Sequence, residues 1–86
     1  MSMQKLVLDA RALEHPKPLE EAVRLLQQMD ETAYLHMIHR KNPIPLLQMA
    51  KERGYRTLSI EKPQGTWHIF ITKNPQIDLK EKARHV

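Results

Sequence analysis

Residues 42–55, NPIPLLQMAKERGY, carry the start and the stop of one helix in a single short stretch. Asn42 supplies an N-cap oxygen, and Pro43 has the fixed φ and missing N–H that suit the first helical position. Lys51 and Arg53 oppose the negative end of the dipole, and Gly54 admits a left-handed stop. A helix bounded this closely leaves short runs on either side. A second helical face is marked by Leu19, Ala22, Val23, Leu26 and Met29. Pro18 is expected at its first position, Glu20 and Glu21 favour its N-terminal end, and it should run to about Met29. The remaining runs, QKLVLD at 4–9, AYLHMIH at 33–39, YRTLSIEK at 55–62 and TWHIFIT at 66–72, have strand length and strand composition. PQG joins the last two as a hairpin, with Gly65 free to take positive φ.

The order is β-α-β-α-β-β. Right-handed crossovers make the first three strands parallel, and the hairpin makes the fourth antiparallel. The predicted architecture is an α/β two-layer sandwich, a four-stranded mixed sheet with both helices on one face. Residues 1–73 form this single domain, and 74–86 is a polar, loose tail in which 77–84 has the makings of a short helix. The helix-free sheet face is left either wetted or used, and a homodimer through it is one expected use, because small domains gain burial that way.

Parallel strands share an edge at their carboxyl ends, where ligands of open α/β sheets usually bind. The loop into the first helix brings Asp9, Arg11, His15 and Lys17 there, and the loop into the second brings His39, Arg40, Lys41 and Asn42. Both helix starts are expected to aim unpaired N–H groups outward. Each start contributes about 0.3–1 kcal/mol to a nearby anion, and each exposed charge pair about 0–1 kcal/mol. A few such contributions reach roughly 4 kcal/mol, a millimolar dissociation constant. A bare phosphate therefore binds weakly, and a physiological ligand needs more contacts, from an acidic protein surface or a larger anion. The competing reading has Lys17, Arg40 and Lys41 as solvated loop charges and Asp9 paired with Arg11 to fix its loop.

Composition narrows the remaining classes. The chain has 86 residues, 41% hydrophobic and 28% charged, which is the balance of a globular domain rather than a disordered one. Cysteine is absent, so disulfides, thiolate chemistry and Cys-ligated zinc are excluded, and a reducing cytoplasm is the expected compartment. No apolar run has membrane-spanning length, and MSMQKL lacks a signal core, so neither export nor membrane insertion is expected. Fourteen Lys and Arg against ten Asp and Glu give +4, which permits nucleic acid without favouring it.

Two stretches resemble a known family. LDARALEHPKPLEEAV, residues 8–23, is similar to the opening of the TusA/SirA-like sulfur carriers, Leu-Asp-x-x-Gly-Leu-x-Cys-Pro-x-Pro followed by a helix. HRKNPIPLLQMAKERGY with GTWHIFI looks still more like their cysteine-poor relatives, domain of unknown function 2249. The resemblance covers roughly residues 6–72 and implies the same β-α-β-α-β-β fold with sheet order 1-2-4-3. It does not carry sulfur transfer with it: His15 stands where the carriers have their persulfide-forming Cys, and Ala12 stands where they have Gly. Asp9, Leu13, Pro16 and Pro18 keep the frame of that turn.

Five histidines offer further chemistry. His36 and His39 fall on opposite faces of one strand, a poor chelating pair. If the second and fourth strands are neighbours, His36 and His68 meet on the helix-free face, and two imidazoles there suit a metal or a haem. Neither helix-entry loop has a Ser or Cys nucleophile, a Gly-rich phosphate cradle or paired carboxylates. The expectation is a non-enzymatic binding or adaptor module with no cofactor, taking a protein partner or a small anionic ligand at the helix-start edge. The alternatives are an RNA- or nucleotide-binding protein using the same edge, and a metal- or haem-sensing module using His36 and His68.

Overall fold

A computed structural model describes residues 3–86; the first two positions of the expected domain lie outside the described residues. The elements are β1 (Gln4–Asp9), α1 (Lys17–Gln28), β2 (Ala33–His39), α2 (Ile44–Glu52), β3 (Arg56–Glu61), β4 (Trp67–Thr72) and α3 (Leu79–Ala83). The strand order is β1-β2-β4-β3, with β1 parallel to β2 and both β2 and β3 antiparallel to β4.

Period two along the strands separates the two faces. Leu35 and Met37 of β2 and Ile69 and Ile71 of β4 turn toward the helices. There they meet Ala22 and Leu26 of α1 and Leu46, Leu47 and Ala50 of α2. Leu6, Leu8 and Trp67 close the margins of this core. The buried residues of α1, Pro18, Ala22 and Leu26, repeat every fourth position, so the helix lays one stripe against the sheet.

The other face departs from expectation. Residues 74–86 are not a loose tail but a second cover. Ile77 and Leu79 are buried, and they pack with Tyr34 and Phe70 against partly buried Leu58, Ala83 and Val86. Polar bonds hold the segment down. One guanidinium nitrogen of Arg56, Nη1, donates to the carbonyls of Asn74 and Ile77 at 2.8 and 2.6 Å, and Asn74 Nδ2 donates to Glu31 O at 2.7 Å. The buried Thr72 hydroxyl donates to Ala33 O at 2.9 Å. Five residues of the segment, Leu79–Ala83, are helical, with the Asp78 side chain accepting from the Glu81 N–H at the start. With both faces of β2 covered, AYLHMIH has no reason to alternate in polarity. α3 also occupies part of the face to which a homodimer contact was assigned.

The helix starts differ in detail from the sequence expectation. α1 begins at Lys17, so Pro18 is its second residue and His15 lies outside it, before a cis peptide bond to Pro16. α2 begins at Ile44, with Pro43 at the cap position and no side-chain cap. Asn42 is turned elsewhere: its Oδ1 accepts the Ser59 hydroxyl at 2.7 Å, tying the loop to β3.

Gly54 and Gly65 both have φ of +87°. A Cβ at Gly54 would meet no heavy atom within 4 Å, so substitution there tests backbone conformation alone. Gly54→Ala is expected to cost about 1–2 kcal/mol, read as a lowered urea midpoint with unchanged slope; an unchanged midpoint would contradict the left-handed stop.

Candidate ligand-binding edge

The loops that follow β1 and β2 reach the same end of the sheet because those strands are parallel. Between them, at the starts of α1 and α2, lies a cavity of about 460 Å³. His15 and Glu14 reach it from the first loop, and His39, Arg40, Lys41 and Asn42 from the second. Its remaining walls are hydrocarbon, from Leu13, Leu19 and Leu46 and from Pro18, Pro43 and Pro45.

Three residues assigned to this edge by sequence stand apart from it. Asp9 falls on the strand phase of Lys5 and Val7, opposite to Leu6 and Leu8, so its side chain leaves on the sheet face away from α1 and α2. Arg11 follows it there. Its Nε and Nη2 donate to the two Asp9 carboxylate oxygens at 2.9 and 2.7 Å, and its backbone N–H adds a bond to Oδ1 at 3.2 Å. The guanidinium beside it lowers the Asp9 carboxyl to about 2. This pair fixes its own loop. Lys17 is exposed at the first turn of α1 and does not line the cavity.

Backbone donors at the edge are fewer than two bare helix starts would give. Lys17 N–H donates to Glu14 O at 2.9 Å and Ile44 N–H to Asn42 O at 2.9 Å, while Pro18 and Pro45 have no N–H. Glu20 and Leu47 donate to Pro16 O and Pro43 O. Among the described residues, the first turns keep one N–H each without an acceptor, at Leu19 and Leu46. Both residues line the cavity.

His39 is held in one orientation by Lys41 N–H, which donates to its Nδ1 at 3.1 Å. That bond needs the Nδ1 lone pair, so the neutral ring carries its proton on Nε2. Burial first, then the charges of Arg40 and Lys41, lower the pKa of this imidazole. At neutral pH His39 is an uncharged wall, and the fixed positive charge comes from Arg40 and Lys41.

Sequence reasoning missed the hydrocarbon half of the cavity. In sequence Leu19 falls on the helical core stripe and the prolines mark the helix starts, and neither position by itself signals a cavity wall. The available signal was a repeated Pro-Leu pair: each helix places Pro second and Leu third, so two similar half-walls meet once the strands run parallel.

His36 and His68 do come together on the other face. They are diagonal neighbours, since His36 pairs with Phe70 and Ile38 with His68. Their rings meet through His36 Nε2 and His68 Nδ1 at 2.9 Å, and Phe70 stacks on His36 at 4.5 Å between centroids. His36 Nδ1 is buried without a partner. Burial, Lys5 and His68 lower the His36 pKa to about 4, and burial, Lys62 and Arg11 lower that of His68. The cations that depress these imidazoles oppose a metal ion in the same place. Among the described residues no group of three potential metal ligands occurs.

This sheet order, with α1 and α2 on one face of a four-stranded mixed sheet, is the SirA-like fold. A crystal structure described as the SirA-like protein from Desulfitobacterium hafniense superposes with a TM-score of 0.69 at 25% identity, over 80% of this chain and 97% of that one. The family described as "Uncharacterized conserved protein (DUF2249)" matches residues 7–73, and the chain belongs to it. No curated protein matches the chain. It is a member without cysteine, and no helix among the described residues is long and apolar enough to cross a membrane.

Proposed function

We propose that the protein is a non-enzymatic binding module that takes an anionic ligand or an acidic partner surface in the cavity between the starts of α1 and α2. The observation that carries this reading is the convergence of His15, Arg40 and Lys41 from two separate loops on one cavity, with Glu14 as its single carboxylate. The lining has no hydroxyl or thiol, which supports binding over covalent catalysis. His15, at the position matching the carriers' cysteine, cannot hold a persulfide but keeps a hydrogen-bonding ring at the mouth.

The test is a proton–nitrogen NMR titration of the full chain with inorganic phosphate and with a short poly-glutamate peptide, at low and moderate salt. Shifts confined to residues 13–19 and 39–46, weakening with salt, are expected. Arg40 and Lys41 are exposed, so the double variant Arg40→Glu, Lys41→Glu should fold normally. It should lose about tenfold or more in affinity, since two attractive pairs of about 0.5–1 kcal/mol each become repulsive. Equal binding by the variant, or shifts on the Tyr34 and His36 face instead, would remove this reading.

A further inference from the structure

We infer that the ligand of this cavity is a small organic carboxylate with an apolar body, not a phosphate group. The inference rests on the anion-binding reading of the edge and names the class of anion.

Supply of donors is the first argument. A phosphate dianion presents several strongly hydrated oxygens, and sites built for it surround them with successive backbone N–H groups. Here the two helix starts together leave only two N–H groups without an acceptor, at Leu19 and the buried Leu46, because Pro18 and Pro45 remove one donor each and local carbonyls take the first-position N–H groups. Two N–H groups with the Arg40 guanidinium match the two oxygens of one carboxylate.

Charge is the second. Glu14 lies in the lining and repels a dianion twice as strongly as a monoanion. With His39 held neutral, the fixed cations are Arg40 and Lys41, so a single negative charge is the better complement.

The walls are the third. Leucine and proline side chains form half of the lining. Hydrocarbon walls give nothing to an inorganic anion and cost it hydration, whereas an alkyl or aryl body covers them favourably. The volume of about 460 Å³ is of small-molecule size, which favours a free acid over a folded partner's surface.

Calorimetric titration of the full-length protein with acetate, butyrate, hexanoate, hexanol and inorganic phosphate, at constant ionic strength and pH 7.5, tests this. Affinity should rise about fourfold per added methylene, so hexanoate should bind about fifteenfold more tightly than butyrate. Hexanol should bind at least tenfold more weakly than hexanoate, and Arg40→Gln should weaken hexanoate tenfold while leaving hexanol unchanged. Affinity independent of chain length, or hexanol equal to hexanoate, overturns the inference. Tighter binding of phosphate than hexanoate also overturns it, yet leaves the anion-binding edge standing. No binding of any acid or of phosphate overturns the inference and, together with no response to the poly-glutamate peptide, removes the anion-binding reading as well.

Discussion

Phe70→Ala is expected to destabilise the protein by about 3–5 kcal/mol, the range for truncating a fully buried aromatic ring. A domain of this length has on the order of 4–13 kcal/mol of stability in total, so the variant should lose from roughly a quarter to all of the native margin. The ring is completely buried on the sheet face away from α1 and α2. It stacks on His36, lies 6.5 Å from Tyr34 between centroids, and is capped by Ile77 and Leu79. Two chain segments, 34–36 of β2 and 77–79 at the C-terminal end, therefore converge on one side chain. Urea denaturation gives the magnitude, and hydrogen exchange in residues 77–86 gives the cause. If the C-terminal segment were loosely attached, Phe70 would behave as a half-exposed sheet residue and its truncation would cost about 1 kcal/mol. A loss that small would restore the boundary at residue 73.

That boundary shows where sequence reasoning stops. Element order, strand direction, the Gly54 stop and the Gly65 hairpin turn follow from local chemistry: prolines at helix starts, apolar spacing of three and four, and two glycines at positive φ. The segment 74–86 carries a local helix signal, borne out at Leu79–Ala83 behind the Asp78 cap, but no signal for what it packs against. Its attachment depends on Ile77 and Leu79 finding Tyr34 and Phe70, and on Arg56 reaching carbonyls about twenty positions away. Nothing local encodes those distances. The helix-start edge was legible for the opposite reason, since parallel strands dictate that their following loops meet. Asp9 and Arg11 were misassigned to it because position along the chain was considered and strand phase was not: Leu6 and Leu8 face the helices, so Asp9 cannot. Asn42 fits a cap by residue type, but Ser59 on β3 offers its side chain a partner that the sequence does not reveal.

The second large effect is the loss of stability between pH 6.5 and about 4, traceable to His36. In the unfolded chain a histidine titrates near 6.5; in the folded protein burial, with Lys5 and His68 beside it, lowers His36 to about 4. The geometry gives the same direction. His36 Nε2 is engaged with His68 Nδ1, so an added proton must go to His36 Nδ1, which is buried with no acceptor, or to His68, which faces Lys62 and Arg11. As pH falls below 6.5 the unfolded state takes up the proton and the native state does not, so unfolding is favoured; once pH passes about 4 both states are protonated and the loss stops. The full difference is worth at most about 3 kcal/mol. Water at the partly exposed His68 beside it screens part of this difference, leaving about 1–2 kcal/mol. His68 and His39 are lowered too, so they add to the slope in the same direction. The Asp9 carboxyl, at about 2, titrates below this window. His36→Phe retains an aromatic ring for Phe70 to stack on while removing the titrating group. Urea midpoints at pH 7.5 and 4.5 should therefore converge in the variant by about 1–2 kcal/mol relative to the wild type. Equal pH slopes in the two proteins would mean that the imidazole pair takes up its proton in the folded state as readily as in the unfolded one, and that the bare Nδ1 meets solvent.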